Sequence, residues 1–114
     1  MLDRLNNLEL AALLLIAQEQ ADIGQQLWPL FRSSMVVARE NTGHGFFTTL
    51  RPDRNQSPPL TLSSPLGTAW IDIEGFRTPM GFLLWLTDGY PSELEGFTTV
   101  DDTTGIDFAA VRFG

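Results

Sequence analysis

The clearest pattern in the chain is a five-residue apolar run, Phe82–Leu86, followed by a turn signal at Asp88-Gly89 and a second strand-like run, Leu94–Val100. Asp-Gly between two such runs is the strongest short-range signal for a β-hairpin, because glycine accepts the positive φ that a primed turn requires. A run that is apolar at every position is typical of a strand covered on both faces. The pattern therefore predicts a central strand at 82–86 with the other elements packed around it.

The N-terminal part of the chain predicts one long helix and one shorter helix. Apolar residues recur at three- and four-residue steps over 2–20, and further leucines widen this stripe until the middle of the helix is apolar nearly all round. Such a helix is buried on more than one side or meets a partner. Residues 23–32 predict a second helix with Asp22 as its candidate cap, although Pro29 weakens it and two short turns are the alternative.

From residue 34 onward the apolar period changes to two, which is typical of strands. The predicted strands are 35–40, 46–50, 68–74, 82–86, 94–100 and 106–113, and 60–62 is a candidate short edge strand. Helices grouped before strands predict an α+β fold, in which the N-terminal helix and the short second helix pack on an antiparallel sheet of five or six strands. A length of 114 residues predicts one domain, 1–114.

Residues 51–67 predict a loop that holds four of the seven prolines. An ordered domain seldom carries a loop of this length without a use for it or some mobility in it. The first helix can cover one face of the predicted sheet. The other face must then be covered by the second helix, by this loop or by a second copy of the protein, unless the sheet closes on itself. A homodimer is therefore one hypothesis.

The composition is acidic, with fourteen Asp and Glu residues against seven basic residues, and a net charge of −7. Because Lys and Arg bind phosphate backbones, this balance argues against nucleic acid and anionic membrane surfaces as partners. No apolar stretch approaches the roughly 20 residues of a membrane helix, and no signal-peptide pattern is seen. The absence of cysteine fits a reducing compartment, so we expect a cytoplasmic protein.

All seven basic residues are arginine. This preference reflects either the codon usage of a GC-rich genome or the geometry of the guanidinium group. The planar fork of arginine suits bidentate contacts with carboxylates, and some of the seven could make such contacts in the fold.

Three short motifs, spread over about half of the chain, carry a family resemblance. They are TGHGFFT at 42–48, the Asp-Gly turn that ends the apolar strand, and LEGF at 94–97. With these motifs the chain resembles a family of small, uncharacterised bacterial proteins. The resemblance implies a small protein built from helices and an antiparallel sheet, of unknown function, and it implies no activity.

The chain departs from this family at Pro91, where relatives tend to have an apolar residue. Proline removes a ladder hydrogen bond, so we expect a β-bulge there, and the bulge leaves the facing of Glu93 and Glu95 open. Without a bulge these two carboxylates share a face, as do Asp72 and Glu74 on another strand. The four are a candidate hard-cation site or acid/base pair, and a solvated or arginine-paired face is the alternative. We expect Glu95 to be partly buried and paired with an arginine.

The other candidate site residues are His44, Trp70 and Trp85. His44 is the single histidine and lies between two glycines, so it is a candidate base or ligand, with an exposed turn residue as the alternative. The two tryptophans belong to the core unless the second sheet face is loosely covered, in which case they line a pocket or an interface. No nucleophile elbow or phosphate-binding glycine loop is present, so we expect no catalytic residue, metal or cofactor.

Two functional hypotheses follow from the sequence. The first is a non-enzymatic, small acidic protein that acts through a protein–protein interaction or self-association. One version of it, by analogy alone, is an immunity-type protein that neutralises a basic toxin. The second is a small-molecule or metal-binding domain, or a weak hydrolase, with His44, Glu95 and the 51–67 loop near the site. The missing catalytic pattern favours the first.

Overall fold

The first helix, α1, spans Asn7–Glu19 in the computed structural model, which describes residues 2–20 and 23–114. It begins five residues later than the apolar pattern predicts, because a capping box fixes its start. The Asn6 side chain accepts a hydrogen bond from the Glu9 amide, and the Glu9 carboxylate accepts one from the Asn6 amide, each at 2.8 Å. The residues before the cap run beside the sheet instead, where Asp3 forms an antiparallel bridge with Val36.

The second helix, α2, spans Gly24–Arg32 and packs against α1. It is continuous through Pro29, so the alternative of two short turns is wrong. The proline lies on the exposed side, while the buried side is formed by Leu27, Leu30 and Phe31. The predicted cap, Asp22, lies outside the described residues.

The five strands form one antiparallel sheet in the order β1-β2-β5-β4-β3. The strands are β1 Met35–Asn41, β2 Gly45–Arg51, β3 Leu66–Ile71, β4 Met80–Thr87 and β5 Tyr90–Phe97. The predicted α+β fold, with the N-terminal helix packed on an antiparallel sheet, is therefore confirmed. The predicted hairpin between β4 and β5 is confirmed as well, because Asp88 and Gly89 both have positive φ, 53° and 81°.

The apolar core lies between α1 and one face of the sheet, which we call the inner face. Its buried members include Leu13 and Ile16 of α1, together with Phe82 and Leu84 of β4. The opposite, outer face has no layer of helix over it among the described residues. Trp85 of β4 keeps 38% of its surface exposed there, so the prediction that 82–86 is covered on both faces is wrong within one chain. No helix of the described chain is long and apolar enough to cross a membrane.

The predicted strand at 106–113 is wrong. An Asx turn interrupts it, because the Asp107 side chain accepts a hydrogen bond from the Ala109 amide, and such turns compete with strand pairing. Its aromatic member, Phe108, instead packs on Phe46 of the inner face, with the ring centroids 4.7 Å apart. Within 106–113, Phe113 forms an isolated antiparallel bridge with Ile73, two residues after the end of β3.

The long loop has a structural use. Residues 52–65 carry the chain from β2 to β3, past the ends of two intervening strands, a step of about 14 Å at the usual strand spacing. The loop is tied to the β4–β5 hairpin on the way by hydrogen bonds from Leu60 to Gly89, from Leu86 to Ser64 and from Tyr90 to Ser57. The candidate strand at 60–62 is wrong, since these residues are not in a strand.

The segment after β5 is held on the β1–β2 turn by Thr103, which is fully buried. Its hydroxyl accepts a hydrogen bond from the Gly45 amide at 2.9 Å and donates one to Asn41 at 3.0 Å. The Asn41 amide group in turn donates to the Thr103 carbonyl at 2.7 Å. Just before it, Asp101 accepts hydrogen bonds from the Arg77 and Thr78 amides, which hold the pKa of Asp101 below its ordinary value.

We expect Thr103→Val to lower the free energy of unfolding by about 1–3 kcal/mol, because it keeps the shape of the side chain and leaves the buried Gly45 amide without its acceptor. Urea unfolding of the two proteins measures the difference. Thr104→Val is the control, since Thr104 is exposed. Equal losses in the two variants would show that the Thr103 hydroxyl does not hold the segment after β5 on the β1–β2 turn.

Candidate functional site

The outer face of the sheet presents a regular grid of aromatic and acidic side chains. Strand register places one row across the sheet from Leu83 through Glu95 and Phe47 to Glu40. The next row runs, in the same direction, from Trp85 through Glu93 and Thr49 to Ala38. Each carboxylate on β5 thus has an apolar side chain on β4 beside it.

The bulge predicted at Pro91 is confirmed and settles the facing of the glutamates. The register of β4 and β5 shifts where Trp85 pairs with Glu93 and Leu86 with Pro91. From Glu93 onward the pairing is regular, so Glu93 and Glu95 both point to the outer face, and the buried Leu94 between them points to the core.

Glu95 is partly buried, as predicted, but its partner is not an arginine. Its carboxylate accepts a hydrogen bond of 3.0 Å from the indole nitrogen of Trp85, a diagonal neighbour on the adjacent strand. Among the described residues, no arginine forms a salt bridge with Glu95. Arg39 of the edge strand β1 points to the inner face instead.

The two tryptophans named from the sequence both lie on the outer face and not in the core. Trp70 is 53% exposed and meets the Phe97 ring edge-on, with centroids 5.4 Å apart. The Phe97 ring lies over Gly81, where an added Cβ would clash with it. Trp70 of β3 and Phe97 of β5 therefore form one aromatic patch over Gly81 of β4, next to the row that begins at Leu83.

A shallow hollow of about 340 Å³ lies between Glu40 and Glu93. Its floor includes Ala38, Phe47 and Thr49, and the small side chains at 38 and 49 account for the depression. Arg39 also lines the hollow, but its guanidinium is bound to Glu9 and Asp3 on the inner face. The hollow combines the apolar side chains of Ala38 and Phe47 with two carboxylates at its sides. This arrangement suits a side chain with an apolar stem and a cationic head.

The residues predicted for a small-molecule or metal site, His44, Glu95 and the 51–67 loop, do not lie together in the structure. His44 is exposed in the turn before β2, whereas the 51–67 loop leaves from the opposite end of that strand. Glu95 lies opposite Phe47, three residues along β2 from His44, or about 10 Å at the usual rise. Within 2–20 and 23–114, no three His, Asp or Glu side chains are grouped so that they could hold a metal ion, and this covers the candidate set with Asp72.

His44 has an acidic neighbour in Asp102. The pKa of Asp102 is lowered, mainly by hydrogen bonds from Thr104 and to a lesser degree by His44. Both residues are exposed at the turn.

The inner face holds a buried ion cluster that the sequence pattern does not predict. The Glu9 carboxylate, 1% exposed, accepts bidentate hydrogen bonds from Arg39 at 2.8 and 2.9 Å and one from the Thr48 hydroxyl at 2.6 Å. Arg39 also donates to Asp3 at 2.9 Å. The hydrogen bonds to Glu9 raise the pKa of Arg39, so its charge is permanent. One arginine thus makes the bidentate carboxylate contact that the all-arginine composition suggests.

One signal in the sequence could have located this cluster. Asn6 and Glu9 are spaced as a capping box just before the apolar stretch, and this spacing marks a glutamate held at a helix start. A cavity of about 280 Å³ lies beside the cluster, between it and Phe108. Because the carboxylate and the guanidinium are both occupied by the contacts above, we assign the cluster to stability and not to binding.

Comparison of the chain with protein-family models, with curated proteins and with solved structures gave no match. The resemblance carried by 42–48 and 94–97 therefore stays a prediction.

Proposed function

We propose that this protein acts by binding another protein chain through the outer face of its sheet. The observation that carries the proposal is the exposure of two tryptophans, Trp70 and Trp85, on a face that neither described helix covers. Tryptophan exposed on a well-ordered surface is typical of interfaces, where it supplies large contact area and a polar N–H.

The chemistry of the face supports binding over catalysis. Its carboxylates alternate with aromatic side chains, and the Glu95 carboxylate is engaged by Trp85. A general acid or base needs a second group within hydrogen-bond reach of a substrate. The residues named for a small-molecule site, His44 and the 51–67 loop, lie at opposite ends of β2. Their separation favours the interaction hypothesis over the alternative.

Site-specific photo-crosslinking tests the proposal in the cells that naturally make the protein. We expect p-benzoylphenylalanine in place of Trp85 to give, on irradiation, a covalent adduct with one defined protein chain, identified by mass spectrometry. The matched control is the same substitution at Leu14 of α1, which is equally exposed, 37% against 38%, and lies in the helical layer. An adduct at Leu14 alone, or none at either position, would overturn the proposal.

A further inference from the structure

The charges on the outer face identify the kind of partner that would bind there. Glu40, Glu93 and Glu95 all point outward from β1 and β5. The salt bridges among the described residues join Arg39 to Asp3 and Glu9 on the inner face, and none involves these three glutamates. The basic residues at this face are Arg51, at the far end of β2, and Arg54 of the 52–65 loop. Arg54 stacks on the Tyr90 ring and lines a hollow with Trp85 and Glu93, but it forms no salt bridge with Glu93.

Unpaired carboxylates on an apolar surface are costly to cover unless the covering group is cationic. Desolvating a carboxylate without a partner is unfavourable, and an opposite charge with hydrogen bonds offsets that cost. A second copy of this chain, placed face to face by a twofold axis, would set Glu93 and Glu95 against the same acidic grid. Charge complementarity therefore disfavours self-pairing on this face and favours a basic partner.

The shape of the outer face, like its charge, suits a cationic partner. The hollow between Glu40 and Glu93 has the apolar side chains of Ala38 and Phe47 on its floor, beside Thr49. An arginine or lysine side chain can lay its methylene stem on such a floor while its head reaches carboxylates. The exposed Trp85, which is the cross-strand neighbour of Glu93, adds an aromatic face to which a cation is attracted.

We infer that the outer face binds a cationic protein segment and that the hollow between Glu40 and Glu93 takes an arginine or lysine side chain of that segment. This inference rests on the proposed function, since it names the chemistry of the partner for the same face. The net charge of −7 acts in the same direction, because it attracts a basic chain over distances longer than a contact.

A random twelve-residue peptide library displayed on phage and selected on the wild-type protein tests the inference. We expect the selected peptides to be enriched in Arg and Lys relative to the unselected library. A synthetic peptide made from the selected sequences should bind Glu40→Gln/Glu93→Gln at least tenfold more weakly than wild type. Its affinity for wild type should also fall as the salt concentration rises.

The matched control is Asp72→Asn/Glu74→Gln, which removes the same two negative charges at exposed positions outside the hollow. Equal weakening by the two double variants would overturn the inference, because net charge alone would then explain binding. Selected peptides without cationic enrichment would overturn it as well. So would a dimeric mass in light scattering that Glu40→Gln/Glu93→Gln makes more stable. In each of these cases an adduct at Trp85 would still support the proposed function.

Discussion

Arg39→Gln is expected to lower the free energy of unfolding by about 3 kcal/mol, because it leaves the buried Glu9 carboxylate without its countercharge. Removing one partner of a buried ion pair typically costs about 3–5 kcal/mol, and the lower end applies because the Arg39 side chain is 34% exposed. Glu9 is 1% exposed and would keep only the hydrogen bonds from Thr48 and Asn6. Urea unfolding, followed by tryptophan fluorescence, measures the loss.

The double variant Glu9→Gln/Arg39→Gln identifies the cause of that loss. If the lone charge is responsible, the double variant is more stable than Arg39→Gln, because a neutral amide is cheaper to bury than a carboxylate. Arg51→Gln is the control for losing an exposed arginine from the neighbouring strand, and we expect a change within about 0.5 kcal/mol. A double variant less stable than Arg39→Gln would contradict the explanation.

Gly45→Ala is expected to have the second large effect, a destabilisation of about 2–5 kcal/mol. The residue has a φ of 123°, which costs an L-residue about 1–2 kcal/mol. An added Cβ would also clash with the backbone carbonyl of Gly96 on the neighbouring strand, and overpacking costs about 1–3 kcal/mol. Neither backbone can move away without breaking the β2–β5 pairing.

Gly43→Ala, in the same turn, separates the cost of a positive φ from the cost of the steric clash. Its φ is also positive, at 86°, but an added Cβ there meets only the Thr104 hydroxyl at 3.5 Å, an ordinary contact. We therefore expect a loss of about 1–2 kcal/mol from Gly43→Ala. Thermal and urea unfolding, with circular dichroism to confirm a folded state, measure both variants. Equal stabilities would show that close approach to β5 is not what requires glycine at 45.

The sequence predicts best where the signal is local. The turn at Asp88-Gly89 needs only two residues to adopt positive φ, and the bulge at Pro91 follows from one missing N–H. The buried side of a helix is likewise set by spacing along one segment. These features do not depend on which distant part of the chain lies opposite, so they could be inferred before the topology was known.

The misassigned parts depend on distant partners or on competing side-chain hydrogen bonds. Residues 106–113 alternate like a strand, but the Asx turn at Asp107 and the packing of Phe108 on Phe46 draw them away from the sheet. Trp85 is exposed because neither helix of the described chain lies over the outer face, and no periodicity can reveal this. Glu9 lies in an apolar helix and meets Arg39 and Thr48 only after the sheet has formed.

The candidate site likewise contains residues that local sequence signals predict and residues whose place depends on distant parts of the chain. Trp70, Trp85 and Glu95 were named from the sequence, and the sheet places all three on its outer face. Glu40, which shares the hollow with Glu93, was not named because its neighbour across the sheet is fixed by the β1–β2 and β2–β5 registers together. The tryptophan partner of Glu95 follows from register as well.

The alternation along β5 also determines the entropy lost when a partner binds. Leu94, fully buried, lies between Glu93 and Glu95, so the backbone that carries both carboxylates is anchored from beneath before any partner arrives. Binding then costs this chain only side-chain rotamers, about 0.5–1.5 kcal/mol each, and the indole of Trp85 has already restricted Glu95. Any ordering of backbone on binding would therefore fall on the partner segment.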